Sequence, residues 1–407
     1  MVAIMATTLA TETRSLGTQK LEQARELLAE AGLDAWLLLV RESQERPDPN
    51  LRFFTAQEFT WNSFFLVTPK RSYALVATFD APDLTRGGVF EDIRTYREGP
   101  RQALIALLDE IHPRSIGINV SQDDALADGL TAGLRDYLAD ALQGTPYAGR
   151  LQSAERLLAL VRSVKLPAER ALIARAVEET ELMFDRVSRE FRIGMKAVEI
   201  AERFHAEAAR AGVPTAWSRR HCPTVTVGSK SPVGHVAPGE EAIHDGCLIH
   251  VDFGIVRDGY CSDLQRVWYA RKGQAPAPEP VRRAYAAIVE SIDLAAKALV
   301  PGVESWDVDN RVRERLTSLG YPEYAHALGH HLGRAVHDGG GVLGPRWERY
   351  GHAPYEIVRE SSVYTLEPSI HLPEHGLVSL EEDVVVGPGG AEFLSRFPRE
   401  LPLLTLR

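Results

Sequence analysis

Two acids set eleven residues apart open the chemical reading of this chain. Asp252 closes the apolar run Leu248–Val251, and Asp263 follows on the far side of an Asp258–Gly259 turn signal. In an antiparallel pair, period-two alternation can place both carboxylates on one face. Buried together they repel unless a proton or a cation neutralises them. The plainer alternative is two turn-flanking acids on a solvated hairpin. Further on, His326, His330, His331 and His337 fall within twelve positions among alanines and glycines. Imidazole is a common nitrogen ligand for borderline metals, and small neighbours let backbone pass close to a ligand. In an extended segment His326 shares the face of His330, whereas His331 points away and suits core packing. Glu367 and Glu381 each end a short apolar run, Thr365–Leu366 and Ser379–Leu380. Inward carboxylates are expensive unless paired or metal-bound. Glu382 and Asp383 continue the second run, so a solvated strand end is the competing reading there. His244, His250, His371 and His375 are read as structural or surface residues.

Taken in order, Asp252, Asp263, His330, Glu367 and Glu381 resemble the ligand set of metallopeptidase family M24, and the motifs around them resemble its Xaa-Pro branch of prolidase and aminopeptidase P. The segment His326–His337 is similar to the family segment that carries a ligand histidine and, seven residues later, a catalytic one. Gly234–His235, seventeen residues before Asp252, falls where the family has a substrate-facing histidine. The stretch Arg162–Arg170 is similar to the family's junction between domains. This resemblance implies a pita-bread catalytic fold and two divalent ions, Mn²⁺ favoured with Co²⁺ or Zn²⁺ as alternatives. Asp252 would chelate one ion, Asp263 and Glu381 would bridge, and His330 with Glu367 would complete the second. It also implies catalytic roles for His235, His337 and Glu367, and hydrolysis of small proline-containing peptides by a metal-bridging hydroxide in a homodimer. An Xaa-Pro dipeptidase is favoured over an aminopeptidase P acting on longer peptides or a non-catalytic binding module. Two positions depart from the family pattern. Ser379 stands where an arginine is usual, and Ser369 replaces the glycine usual after Glu-Pro.

These residues need elements to carry them. With 407 residues, two unequal domains are expected, an N-terminal α/β domain over 1–165 (creatinase-N-like, by resemblance) and a catalytic domain over 166–407. The first twelve residues read as frayed. The N-terminal part alternates helix (18–31, 101–111) and strand (35–40, 63–67, 73–78, 115–120), which predicts a central sheet. Residues 151–167 read as helix with a break before Pro167, followed by helices over 168–191 and 197–211. Strands are expected at 224–227, 247–256 and 260–270, helices at 281–299 and 305–319, and short strands at 362–367, 377–380 and 383–386. The fold class is therefore α+β, helices with a curved antiparallel sheet. A net charge of −10 argues against nucleic acid and anionic membranes as partners. No apolar run approaches the roughly 20 residues that cross a bilayer, and Met1–Ala10 lacks the charged start of a signal peptide. Three cysteines form no disulfide framework, which fits reduced thiols in a cytoplasmic protein.

Overall fold

The computed structural model describes residues 16–234 and 236–405; the start read as frayed lies outside them. The chain divides into two compact units, Met1–Arg162 and Ser163–Arg407. In the first, the strands run in the order Asp92–Tyr96, Ser72–Ala77, Ser63–Val67, Ala35–Val40, Ile116–Ile118 and Leu151–Ser153. Ala35–Val40 is buried throughout, and its alternation explains why. Trp36, Leu38 and Val40 enter one apolar cluster, while Ala35, Leu37 and Leu39 enter another on the opposite face. Helix Arg101–Ile111 supplies Leu104, Leu107 and Leu108 to the second cluster.

The reading of 151–167 as one helix is corrected at its start. Leu151–Ser153 is a strand paired in parallel with Ile116–Ile118, and the helix occupies Glu155–Ser163. Its polar Leu-Gln-Ser sequence carries no strand signal, so a long-range pairing decides the conformation. The half-exposed edge strand Asp92–Tyr96 and the helix Ala132–Leu142 were also not anticipated.

In the second unit the four-stranded sheet runs Leu403–Thr405, Leu264–Arg271, Leu248–Phe253, Thr224–Val227. Helices cover both its faces. Glu279–Ala298 and Ser305–Ser318 pack Ile288, Ile292, Val308 and Val312 onto Leu248 and Val267. On the other side, Phe184 of helix Pro167–Ser188 and Phe204 of helix Ala197–Ala211 meet Phe253 at 6.1 and 4.7 Å between ring centroids.

Two antiparallel hairpins matter most for the site. In the first, Asp252 pairs with Gln265 and Phe253 with Leu264; after an interruption the same register resumes at Val256 opposite Cys261. Asp258 and Gly259 close it with φ of 52° and 80°, the two positive values that a type I′ turn requires. In the second, Leu366 pairs with Glu382 and, past another interruption, Ser369 with Ser379. The register is the same on both sides of the interruption. Each hairpin thus breaks its ladder for two residues without slipping. Asp263 lies in the first break, opposite Gly254, and Glu367 lies opposite Glu381 in the second.

Candidate metal centre

The interruptions explain how acids come to be buried here. Gly254 leaves backbone so close to Ser262 O that any Cβ would collide with it, so the strand can pinch only at glycine. Released from the ladder, the Asp263 amide donates instead to Asp383 Oδ2 at 3.1 Å. Across the sheet, Gln265 and Glu381 form an isolated antiparallel bridge, which brings the two hairpins together. His330 arrives on the two-residue strand Gly329–His330, where a Cβ on Gly329 would strike Thr365 O.

The side chains converge accordingly. Asp263, His330 and Glu381 each offer a ligand atom, all within 4.8 Å of one another. His330 Nε2 lies 3.8 Å from Asp263 Oδ2, 3.6 Å from Glu367 Oε1 and 4.0 Å from Glu381 Oε1. Asp252 is within hydrogen-bonding reach of Asp263. Asp252 and Asp263 are not directly opposite. They sit diagonally on one face, with Gln265 as the residue facing Asp252.

Electrostatics mark the cluster as unbalanced. Asp252 Oδ1, Asp263 Oδ1 and Glu381 Oε1 are buried and have no hydrogen-bond partner among the described residues. Burial pushes the Asp252 carboxyl up to about 7. Burial and then the neighbouring carboxylates, Glu381 foremost, hold Asp263 well above its usual range. Glu367 and Glu381 are raised in the same way. Burial drives the His330 imidazole down to about 3, with His337 adding to the effect. Its neutral form therefore prevails. The His330 Nδ1–H donates to His331 O at 3.2 Å, leaving the Nε2 lone pair aimed at the acids. Four carboxylates, three of them with an orphaned oxygen, beside one imidazole lone pair make a donor set that suits hard or borderline divalent cations. The residues fit such ions.

His337 is exposed, and its ring stands edge-on to His330 at 4.4 Å between centroids. His235 lies outside the described residues. His331 is 2% exposed and stacks on Tyr364 at 4.0 Å, the core role read from its position. Glu382 and Asp383 are fully buried rather than a solvated strand end. Glu382 is clamped by Arg266, whose Nη1 donates to Glu382 Oε1 at 2.9 Å and to Glu381 O at 2.9 Å.

Sequence reasoning missed Gln265 and His250. Gln265 Nε2 donates to Glu381 Oε2 at 3.0 Å and to Glu367 Oε2 at 3.3 Å. His250 Nε2 donates in turn to Gln265 Oε1 at 2.9 Å, which fixes the amide's orientation. The available signal was Gln265 lying two residues after Asp263, on the same strand face.

Comparison with known proteins agrees with this architecture. The family model for metallopeptidase family M24 matches residues 171–388, more than half of the chain. A putative dipeptidase of Bacillus subtilis, YkvY, is 30% identical over 278 residues, covering 68% of this chain and 71% of that protein. An Xaa-Pro dipeptidase from Bacillus anthracis superposes with a TM-score of 0.73 at 22% identity, over 95% of this chain and 100% of its own. An X-Pro aminopeptidase from Thermotoga maritima does so with a TM-score of 0.70 at 24% identity, over 94% and 99%. The fold is the pita-bread fold of these peptidases. With its five acid and imidazole side chains arranged on that fold, the chain belongs to metallopeptidase family M24.

Proposed function

We propose that this protein is a two-metal hydrolase of Xaa-Pro bonds, with Xaa-Pro dipeptides as its default substrates. The carboxylates of Asp263, Glu367 and Glu381 within 4.0 Å of His330 Nε2, with orphaned oxygens on Asp252, Asp263 and Glu381, carry the proposal, because so many carboxylates gathered in a largely buried cluster are tolerable only with cations. Asp252, Asp263, His330, Glu367 and Glu381 would hold two divalent ions, Mn²⁺ favoured and Co²⁺ or Zn²⁺ as alternatives. When bound, such ions act as Lewis acids and lower the pKa of water.

The remaining work falls to the chain's own side chains. An Xaa-Pro bond is a tertiary amide whose ring nitrogen must be protonated before it leaves. Glu367, half-buried where Asp263 and Glu381 are buried, takes a proton from the attacking water and passes it to that nitrogen. His337 donates to the scissile carbonyl oxygen and steadies the charge that develops there; by its motif, His235 shares that task. Gln265 keeps Glu367 and Glu381 oriented through its two N–H bonds.

Named relatives include both dipeptidases and an X-Pro aminopeptidase, so substrate length needs its own test. Hydrolysis of Ala-Pro and Ala-Pro-Gly by Mn²⁺-supplemented protein supplies it. Dipeptide cleavage that disappears in Asp263→Ala supports the proposal, strong preference for the tripeptide moves it to an aminopeptidase, and no cleavage of either ends it.

A further inference from the structure

The second hairpin places two cross-strand pairs side by side on one face. Glu367 and Glu381 form the first, and Ser369 and Ser379 form the next, roughly 7 Å along the strands. Both departures from the family pattern therefore meet at a single rung, one step from the acid cluster.

Their hydrogen bonds determine what this rung can recognise. Ser379 is 2% exposed, and its hydroxyl donates to Pro368 O at 3.1 Å. A carbonyl can only accept, so that hydrogen is committed. His326 Nδ1 faces Ala327 O at 2.8 Å and must carry the proton there. The other ring nitrogen, Nε2, lies 2.8 Å from the Ser369 hydroxyl, which donates to it when the ring is neutral. Ser369 is half-buried, and with its hydrogen committed to His326 its oxygen has only lone pairs left to offer a ligand. Two cations of the neighbouring segments are engaged elsewhere among the described residues. Arg313 pairs with Asp309 at 2.9 Å and donates to His326 O, and Arg349 donates to Ala325 O and lies over Trp347.

The geometry points to Ser369, backed by His326 and Ser379, as a specificity corner that accepts a nitrogen donor of the peptide substrate and turns away a carboxylate. This rests on the Xaa-Pro peptidase reading. The donor is either the N–H that follows proline in an extended or amidated substrate, or the free α-amine of the first residue. Both present N–H to the same lone pairs. A carboxylate would meet them with its own, which is repulsive, and it would leave them unpaired.

Two measurements test the corner. Turnover of Ala-Pro, Ala-Pro-amide and N-acetyl-Ala-Pro is compared in wild type, Ser369→Ala and Ser369→Gly, all supplied with Mn²⁺. Calorimetry of proline, prolinamide and alaninamide binding to the same proteins reads the corner without turnover. In wild type one nitrogen is favoured by about tenfold. Amidation raises kcat/KM and prolinamide outbinds proline if the donor follows proline; acetylation lowers kcat/KM and alaninamide outbinds proline if it is the α-amine. In Ser369→Ala the lone pairs are gone and Nε2 can take up the proton, so that preference shrinks several-fold while metal affinity holds. The corner is overturned if wild type prefers the free proline carboxylate and Ser369→Ala weakens it, or if both substitutions leave all the ratios unchanged. Absence of turnover of every peptide by wild type overturns the peptidase reading instead, and calorimetry then still decides for or against the corner.

Discussion

At the residue scale, the account depends on side chains whose burial makes sense only with counter-charges. Asp263→Ala removes a carboxylate from the middle of the cluster, and loss of measurable Xaa-Pro turnover with weakened metal binding is expected. Gln265→Leu tests the layer behind it. With both N–H donors gone, Glu367 and Glu381 lose their orientation, and metal affinity should fall by about 10- to 100-fold; metal titration by calorimetry measures it. The raised carboxyls also predict a pH dependence of the metal-free protein. Their folded values lie above the ordinary range, Asp252 at about 7. Such groups favour folding while protonated, so their stabilising share is complete below about pH 4. It is lost as the pH climbs through 7. Thermal unfolding of chelated protein should therefore weaken from mildly acidic to neutral pH, and added Mn²⁺ should remove most of that decline. The five acid and imidazole positions were marked in the sequence by the resemblance of their motifs taken together, and the side chains of Asp263, His330, Glu367 and Glu381 lie close to one another in the fold. Gln265 and His250 were not legible there, because a glutamine inside a strand and a histidine in an apolar run look like packing until the register is known.

At the element scale, the loop between His330 and His337 is held by a buried ion pair. Lys165 Nζ lies 2.9 Å from Asp338 Oδ2, with the two side chains 0% and 1% exposed. Asp338 also accepts from the Ala335 amide at 3.1 Å and donates its own amide to His331 O at 2.9 Å. Removing one partner leaves the other's buried charge without this counter-charge, which costs about 3–5 kcal/mol. Lys165→Met should show that loss in urea unfolding, and Lys165→Met with Asp338→Asn should recover part of it. Strand and helix positions were readable wherever periodicity was strong: Ala35–Val40, Ser63–Val67, Arg101–Ile111 and Ala197–Ala211 fall where expected. Leu151–Ser153 was read as helix because its strand character comes only from the distant partner Ile116–Ile118. The hairpin breaks that hold the acids were likewise invisible, since they depend on how two ladders meet.

At the whole-molecule scale, the five proposed ligands all belong to Ser163–Arg407, the first and last of them more than 100 residues apart. Ions that bind only this folded arrangement should stabilise it by mass action, about 2.7 kcal/mol at a hundredfold excess over Kd. The fold class was accessible because alternating elements precede a hairpin-rich second half. The convergence of Asp252 with Glu381 came from resemblance rather than from any local pattern. Calorimetric titration of chelated, metal-free protein with Mn²⁺ tests the central claim most directly. Two equivalents bound per chain, reduced in Asp263→Ala and Glu381→Ala, is the predicted result. No saturable binding by wild type, or binding that both substitutions leave unchanged, contradicts it.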